Sequence, residues 1–121
     1  MNKEQILQLK AGEELDNLVI KEIMHHEWDD GERPRCKTCG VWKDWPSPAG
    51  CGQGRPSTDI RAAQQVMEKL FNDGWREQRL ERDHRTGMWE VEFGIGELAF
   101  AESMSLPEAI SKAALLTILA I

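Results

Sequence analysis

The sequence predicts an α+β protein: a short antiparallel sheet sandwiched by helices, with a long Cys/Pro/Gly-rich loop inserted between the first two helical segments. Three observations predict it. Apolar residues recur at three- and four-residue spacing in segments at the start, middle and end of the chain. Between the last two of these, Trp89, Val91 and Phe93 alternate with Glu90 and Glu92, the pattern of a sheet with one buried and one wet face. The resulting order of helix, helix, strands, helix matches layers built on an antiparallel meander.

The first helical segment runs from about Lys3 to Met24, with Leu15, Leu18, Val19 and Ile23 on one face. Gly12 separates a short first turn, carrying Ile6, Leu7 and Leu9, from the main helix. From Asp29 to Pro56 the texture changes, with four of the five prolines and half of the ten glycines and no sustained period. This is a loop insertion, with a short strand predicted at its start around His25–Trp28. A loop this long within one domain is usually functional, disordered or pinned by something. Helical order resumes at Ser57-Thr58-Asp59, where either hydroxyl can serve as cap. The apolar face expected there is Ile60, Ala63, Val66, Met67, Leu70 and Phe71. Asn72-Asp73-Gly74 is a stop, with Gly74 free to turn left-handed.

Strands follow. Trp75–Arg82 is charged but extended in pattern, Asp83–Gly87 turns, Met88–Phe93 is the alternating strand, and Gly94–Glu97 turns into Leu98–Glu102. The chain closes on a helix from about Ser105, where Ser105 and Glu108 have capping-box spacing. Its apolar residues, from Ile110 through Ile121, wrap nearly all round, so it is either central to the core or a subunit interface.

At 121 residues the chain is read as one domain, residues 1–121, with the insertion at 29–56. A net charge of -6 argues against a broad footprint on duplex DNA. The apolar run Ala113–Ile121 is too short to span a bilayer. The first residues do not resemble a signal peptide, so an intracellular location is the expectation. No nucleophile elbow, phosphate-binding loop or HExxH pattern occurs, and no enzyme activity is expected.

Cysteines in that setting favour free thiols or metal ligands over disulfides. Cys36-Lys37-Thr38-Cys39-Gly40 has the form of a zinc knuckle, two thiolates two residues apart with a glycine that lets the backbone turn. Cys51 follows at a distance that permits closure, and His25 or His26 can supply a fourth ligand. We take Cys36, Cys39, Cys51 and His26 as the candidate set for a structural zinc. The alternatives are three reduced thiols and a redox pair, although redox motifs usually open a helix.

Several stretches together resemble the phage ABA sandwich family. They are Ala11-Gly12-Glu13-Glu14-Leu15-Asp16 running to Ile23-Met24, then Ser57-Thr58-Asp59-Ile60 opening a helix that ends Met67-Glu68-Lys69-Leu70. Leu106-Pro107-Glu108-Ala109-Ile110 running into Ala113-Ala114-Leu115-Leu116 is the third. The resemblance covers nearly the whole chain in order, though no single motif is specific. It implies a phage protein acting in the cytoplasm of the infected bacterial host. Some members sequester, without cleaving it, the cyclic ADP-ribose-type signal made by Thoeris TIR proteins, and certain others bind the cyclic oligonucleotides of CBASS. It further implies a homo-oligomer, a dimer or higher up to a hexamer, with pockets near subunit interfaces. The cysteine stretch is an elaboration relative to the family, and Pro56 stands where an aromatic residue is common. The alternative reading, of a different class, is a phage protein–protein interaction module whose zinc-stabilised loop is the contact surface.

A ligand of that kind needs an aromatic platform and donors for phosphate. Trp28 is the candidate for stacking, because Trp89 alternates with glutamates and reads as core. Ser57, Thr58 and Asp59 open a helix whose unsatisfied N–H groups form an anion seat, flanked by Arg55 and Arg61. Asp59 would repel a phosphate but can accept a ribose hydroxyl. Arg76, Arg79, Arg82 and Arg85 form a second basic set, interleaved with Glu77, Glu81 and Asp83. Ion pairing on a solvated face is the default there, with Arg85 taken as the one aimed at ligand.

Overall fold

The structure, a computed structural model, describes residues 2–24, 55–94 and 99–119. The inserted loop's strand at His25–Trp28, its cysteines and its tryptophans therefore lie outside the described residues, as do residues 95–98.

The first helical segment is two helices, α1 (Lys3–Gln8) and α2 (Glu13–Glu22). Asn2 and Gln5 close a reciprocal capping box on α1. Gly12, at φ 148°, occupies the N-cap of α2, where a Cβ would resist that backbone. One face of α2 buries Leu15, Val19 and Ile20.

Helix α3 spans Ile60–Asn72 and is capped by Asp59, whose carboxylate accepts from the Arg61 N–H at 2.9 Å. The cap is thus neither of the expected hydroxyls, because Ser57 is drawn inward by other partners. Only part of the expected apolar face is buried. Ala62, Ala63, Val66 and Leu70 face the core, whereas Ile60 and Phe71 are 40% and 45% exposed. The six expected apolar residues span too wide an arc for one line of contact against the neighbouring helix. The helix stops as predicted: the Trp75 N–H donates to the Leu70 carbonyl, the Gly74 N–H donates to that of Phe71, and Gly74 has φ 110°.

The sheet is a meander of β1 (Gln78–Arg82), β2 (Trp89–Phe93) and β3 (Ala99–Ser103), antiparallel in the order β1-β2-β3. Its register sets Leu80, Val91 and Ala101 in one cross-strand row, with Gln78, Phe93 and Ala99 on one side of it. Arg82, Trp89 and Ser103 form the row on the other side. This face packs on the core. The other face carries Arg79, Glu81, Glu90, Glu92, Phe100 and Glu102, none of them buried. There Arg79 bridges Glu81 at 2.7 Å and Glu92 at 2.8 Å. The hydrogen bond to Glu92 is the main cause of a raised Arg79 pKa, so this guanidinium stays charged and occupied.

Helix α4 (Leu106–Leu119) is the centre of the molecule. It packs on β2 and β3, and α1, α2 and α3 cover it elsewhere. Every residue from Ala109 to Leu116 is buried, which resolves the sequence alternative in favour of the core. Ile110 and Leu115 are fully buried, each contributing about 1.5–3 kcal/mol of transfer free energy. The capping box expected at its start does not form. Glu108 instead accepts from the Ser103 hydroxyl at 3.0 Å and pairs with Lys112 at 2.7 Å.

Candidate functional site

Two regions hold the described candidate ligand residues. The first is the turn that leads into α3. The Thr58 and Asp59 N–H groups both donate to the Arg55 carbonyl, at 3.0 and 2.7 Å. Arg55, Thr58, Asp59 and Arg61 are exposed around it. Ser57 is not: it is fully buried, its N–H donates to Asp16 at 2.8 Å, and its hydroxyl accepts from the Gly12 N–H at 2.9 Å. With the Asp59 carboxylate seated over the first turn of the helix, an approaching phosphate meets like charge at the point where the helix dipole would attract it.

The second region is the end of the sheet around the β1–β2 turn. The Asp83 N–H donates to Met88 O at 2.8 Å, and the Gly87 N–H donates back to Asp83 O at 2.7 Å, closing the turn. Asp83 also accepts from the Arg85 N–H at 2.8 Å, which fixes the backbone from which the exposed Arg85 side chain projects. Arg82, on the last residue of β1, lies with its guanidinium 5.8 Å from the centroid of the Trp89 ring. Its Nε points at the Gly87 carbonyl, 3.4 Å away. Met104, 68% exposed, closes over Gly87 from the end of β3, with its Cε 3.7 Å from where a Cβ would stand.

Trp89 is half-buried: it packs against the core yet keeps surface at the sheet end. Its alternation with glutamates correctly signalled an inward-facing residue, but alternation carries no information about which row of the sheet lies at its open end. Neither Arg82 nor Arg85 takes part in an ion pair among the described residues, in contrast to Arg79. The structure therefore sets the Arg82 guanidinium beside the Trp89 ring, with the exposed Arg85 on the adjoining turn. Arg76 belongs elsewhere, 5.3 Å over the ring of Phe71.

A groove of about 620 Å³ lies away from this end. It runs between α3 and β1, lined by Gln64, Met67, Glu68, Phe71, Asn72 and Gln78. That lining offers a carboxylate and no cation, a poor match for an anionic ligand. Trp28, Cys36, Cys39, Cys51 and His26 lie outside the described residues. Among the described residues no cluster of three or more His, Cys, Asp or Glu has the arrangement of a metal site, and no helix is long and apolar enough to cross a membrane.

A three-stranded meander packed on one central helix, which three further helices cover, defines a small α+β domain. The chain belongs to the phage ABA sandwich domain family, whose model matches residues 17–115. The match takes in α3, all three strands and most of α2 and α4. Comparison with curated proteins and with solved structures finds no match.

Proposed function

We propose that this phage protein sequesters a cyclic nucleotide immune signal without cleaving it. The signal is a glycocyclic ADP-ribose of the kind made by Thoeris TIR proteins, with the cyclic oligonucleotides of CBASS as the related ligand class. The observation that carries the reading is the grouping of Trp89, Arg82 and Arg85 at one end of the sheet. The adenine stacks on the Trp89 ring, an interaction worth about 1–3 kcal/mol per base. The Arg82 guanidinium moves from the ring to the pyrophosphate, and Arg85 meets the same group from the turn, both through charge-assisted bonds. Retention needs no proton transfer and no nucleophile, so the bound signal is held intact. The protein acts as a homo-oligomer in the cytoplasm of the infected host. Cys36, Cys39, Cys51 and His26 hold a structural zinc that orders the inserted loop.

Uptake and release test the reading. The protein is incubated with the cyclic signal, freed of unbound ligand, and heat-denatured. Unaltered ligand in the supernatant is the expected result. A linear product would make the protein an enzyme, and no uptake of any cyclic nucleotide would return the reading to a protein–protein interaction module. For the loop, one equivalent of zinc in the native protein and its loss in Cys36→Ser are expected. Metal-free native protein would refute the zinc assignment.

A further inference from the structure

The sheet ends at β1 on an edge that no strand pairs with among the described residues. Which backbone groups face that edge follows from the ladder to β2. The Gly94 N–H donates to the Glu77 carbonyl at 2.8 Å, and the Asp83 N–H donates to the Met88 carbonyl at 2.8 Å. In this register Glu77, Arg79, Glu81 and Asp83 turn their N–H and C=O groups toward β2. Those of Gln78, Leu80 and Arg82 therefore turn outward, and none of them has a hydrogen-bond partner among the described residues.

Beside this edge lies the groove between β1 and α3. Gln78 fixes its width, because its Nε2 donates to Met67 O at 2.9 Å and to Trp75 O at 3.1 Å, tying the start of β1 to α3. Met67 and Phe71 form the apolar part of the wall, Gln64, Asn72 and Gln78 bring amides, and Glu68 brings a negative charge. Arg76 covers the Phe71 ring from one side, so the wall is mixed rather than a bare apolar face. Glu68 is exposed and takes part in no ion pair among the described residues.

An added strand uses both features at once. In an antiparallel ladder, directly opposed residues send their side chains to the same face. Gln78, Leu80 and Arg82 stand in the core-facing rows of the sheet. Residues that exchange hydrogen bonds with them therefore place their own side chains on the α3 side, over the groove. Glu68 and the net charge of -6 make a basic segment the complementary one.

We propose that β1 and α3 form a docking site for an extended basic peptide. It adds antiparallel to β1 as a fourth strand, with apolar side chains against Met67 and Phe71 and a lysine or arginine at Glu68. The proposal rests on neither the inserted loop nor the nucleotide reading, and its test uses no nucleotide.

Amide hydrogen exchange of the full chain, read residue by residue by NMR, provides that test. In the free protein Arg79, Glu81 and Asp83 are expected to exchange slowly, and Leu80 and Arg82 fast. The probe is the blocked hexapeptide Thr-Val-Thr-Val-Thr-Lys, whose valines and lysine share one face. At about ten times its Kd it is expected to slow exchange at Leu80 and Arg82 about tenfold. A peptide with proline in place of both valines lacks the donors that face β1 and is expected to leave both amides unchanged. Glu68→Lys is expected to weaken binding of the probe about fivefold, and exchanging the peptide's lysine for glutamate restores it. Leu80 and Arg82 already protected in the free protein would mean that the chain itself or a second copy holds the edge, which overturns the proposal. So does the absence of slowing at millimolar peptide, equal slowing by the proline peptide, or binding indifferent to the charge at position 68.

Discussion

The backbone N–H of Ser57 donates to the carboxylate of Asp16 at 2.8 Å, joining positions 41 residues apart in the chain. Both residues are buried, and the Ser57 hydroxyl continues the link by accepting from the Gly12 N–H. The two chain ends that flank the inserted loop are therefore fastened to each other whatever the loop does, and α3 starts from a fixed point against α2. This is why a residue that reads as a phosphate donor is occupied: the fold uses it to close its longest excursion.

Asp16→Ala should therefore destabilise the protein by about 1–3 kcal/mol, the cost of leaving the buried Ser57 N–H without an acceptor. Asp16→Asn keeps an acceptor oxygen and should cost less. Ser57→Ala removes the acceptor of the Gly12 N–H and should cost about 1–2 kcal/mol. Urea denaturation measures all three, with an unchanged slope as the sign that the effect is on the native state. If Ser57→Ala left stability intact while lowering ligand uptake, the residue would be a ligand donor after all.

Adjacent residues of α4 should respond in opposite directions. Lys112 is 6% exposed, and its ammonium donates to Glu108 at 2.7 Å and to the Leu7 carbonyl at 3.0 Å, at the end of α1. Lys112→Ala strands a carboxylate that is only partly wet. It should cost about 2–4 kcal/mol, somewhat under the range for a wholly buried pair. Lys112→Met combined with Glu108→Gln should cost less than the sum of the two single changes. Ser111, by contrast, buries a hydroxyl with no hydrogen-bond partner among the described residues. Ser111→Ala removes that unsatisfied group and should be neutral or stabilising by up to about 1 kcal/mol. Thermal melts of the variants side by side separate the two cases.

Gly94 stands where the chain leaves β2 with φ 90°, and a Cβ there would lie 2.8 Å from Cζ3 of the Trp75 ring. Its N–H is meanwhile held by the Glu77 carbonyl at 2.8 Å, so the backbone cannot swing away without losing that bond. Gly94→Ala combines a left-handed backbone with a clash against a packed aromatic ring, and should cost about 2 kcal/mol or more. Gly74→Ala is the comparison: its φ of 110° is also unfavourable, but open space surrounds its missing Cβ. The difference between the two reads the Trp75 contact alone.

Elements governed by local chemistry were legible in the sequence. The α3 stop at Gly74, the turn at Asp83–Gly87 and the alternation through Trp89, Val91 and Phe93 all depend on a few adjacent residues, and all appear where expected. The misplacements involve partners far along the chain or competing partners close by. Ser57 was a cap by its neighbours, but Gly12 and Asp16 claim it. Glu108 had capping-box spacing, but Lys112 and Ser103 turn it away. The α3 face was drawn too wide because periodicity tells which residues share a side, not how much of that side a neighbour covers. The sheet-end grouping of Arg82 with Trp89 is set by register across the turn, which neither residue's neighbours announce.

That register yields the sharpest test of the binding site, because Arg79 and Arg82 sit three residues apart on the same strand in opposite electrostatic states. Arg79 is spent on Glu81 and Glu92, whereas Arg82, among the described residues, faces the Trp89 ring and the Gly87 carbonyl. Arg82→Ala and Arg85→Ala should each weaken cyclic nucleotide binding by about tenfold or more, and flatten its dependence on salt, since each removes a charge-assisted contact. Trp89→Ala should weaken it by about 1–3 kcal/mol with the salt dependence unchanged, since stacking is not ionic. Arg79→Ala should leave affinity as it was. Isothermal titration at two salt concentrations reads all four. Equal losses for Arg79→Ala and Arg82→Ala would mean that the ligand senses only net charge, and the sheet end would then not be its site.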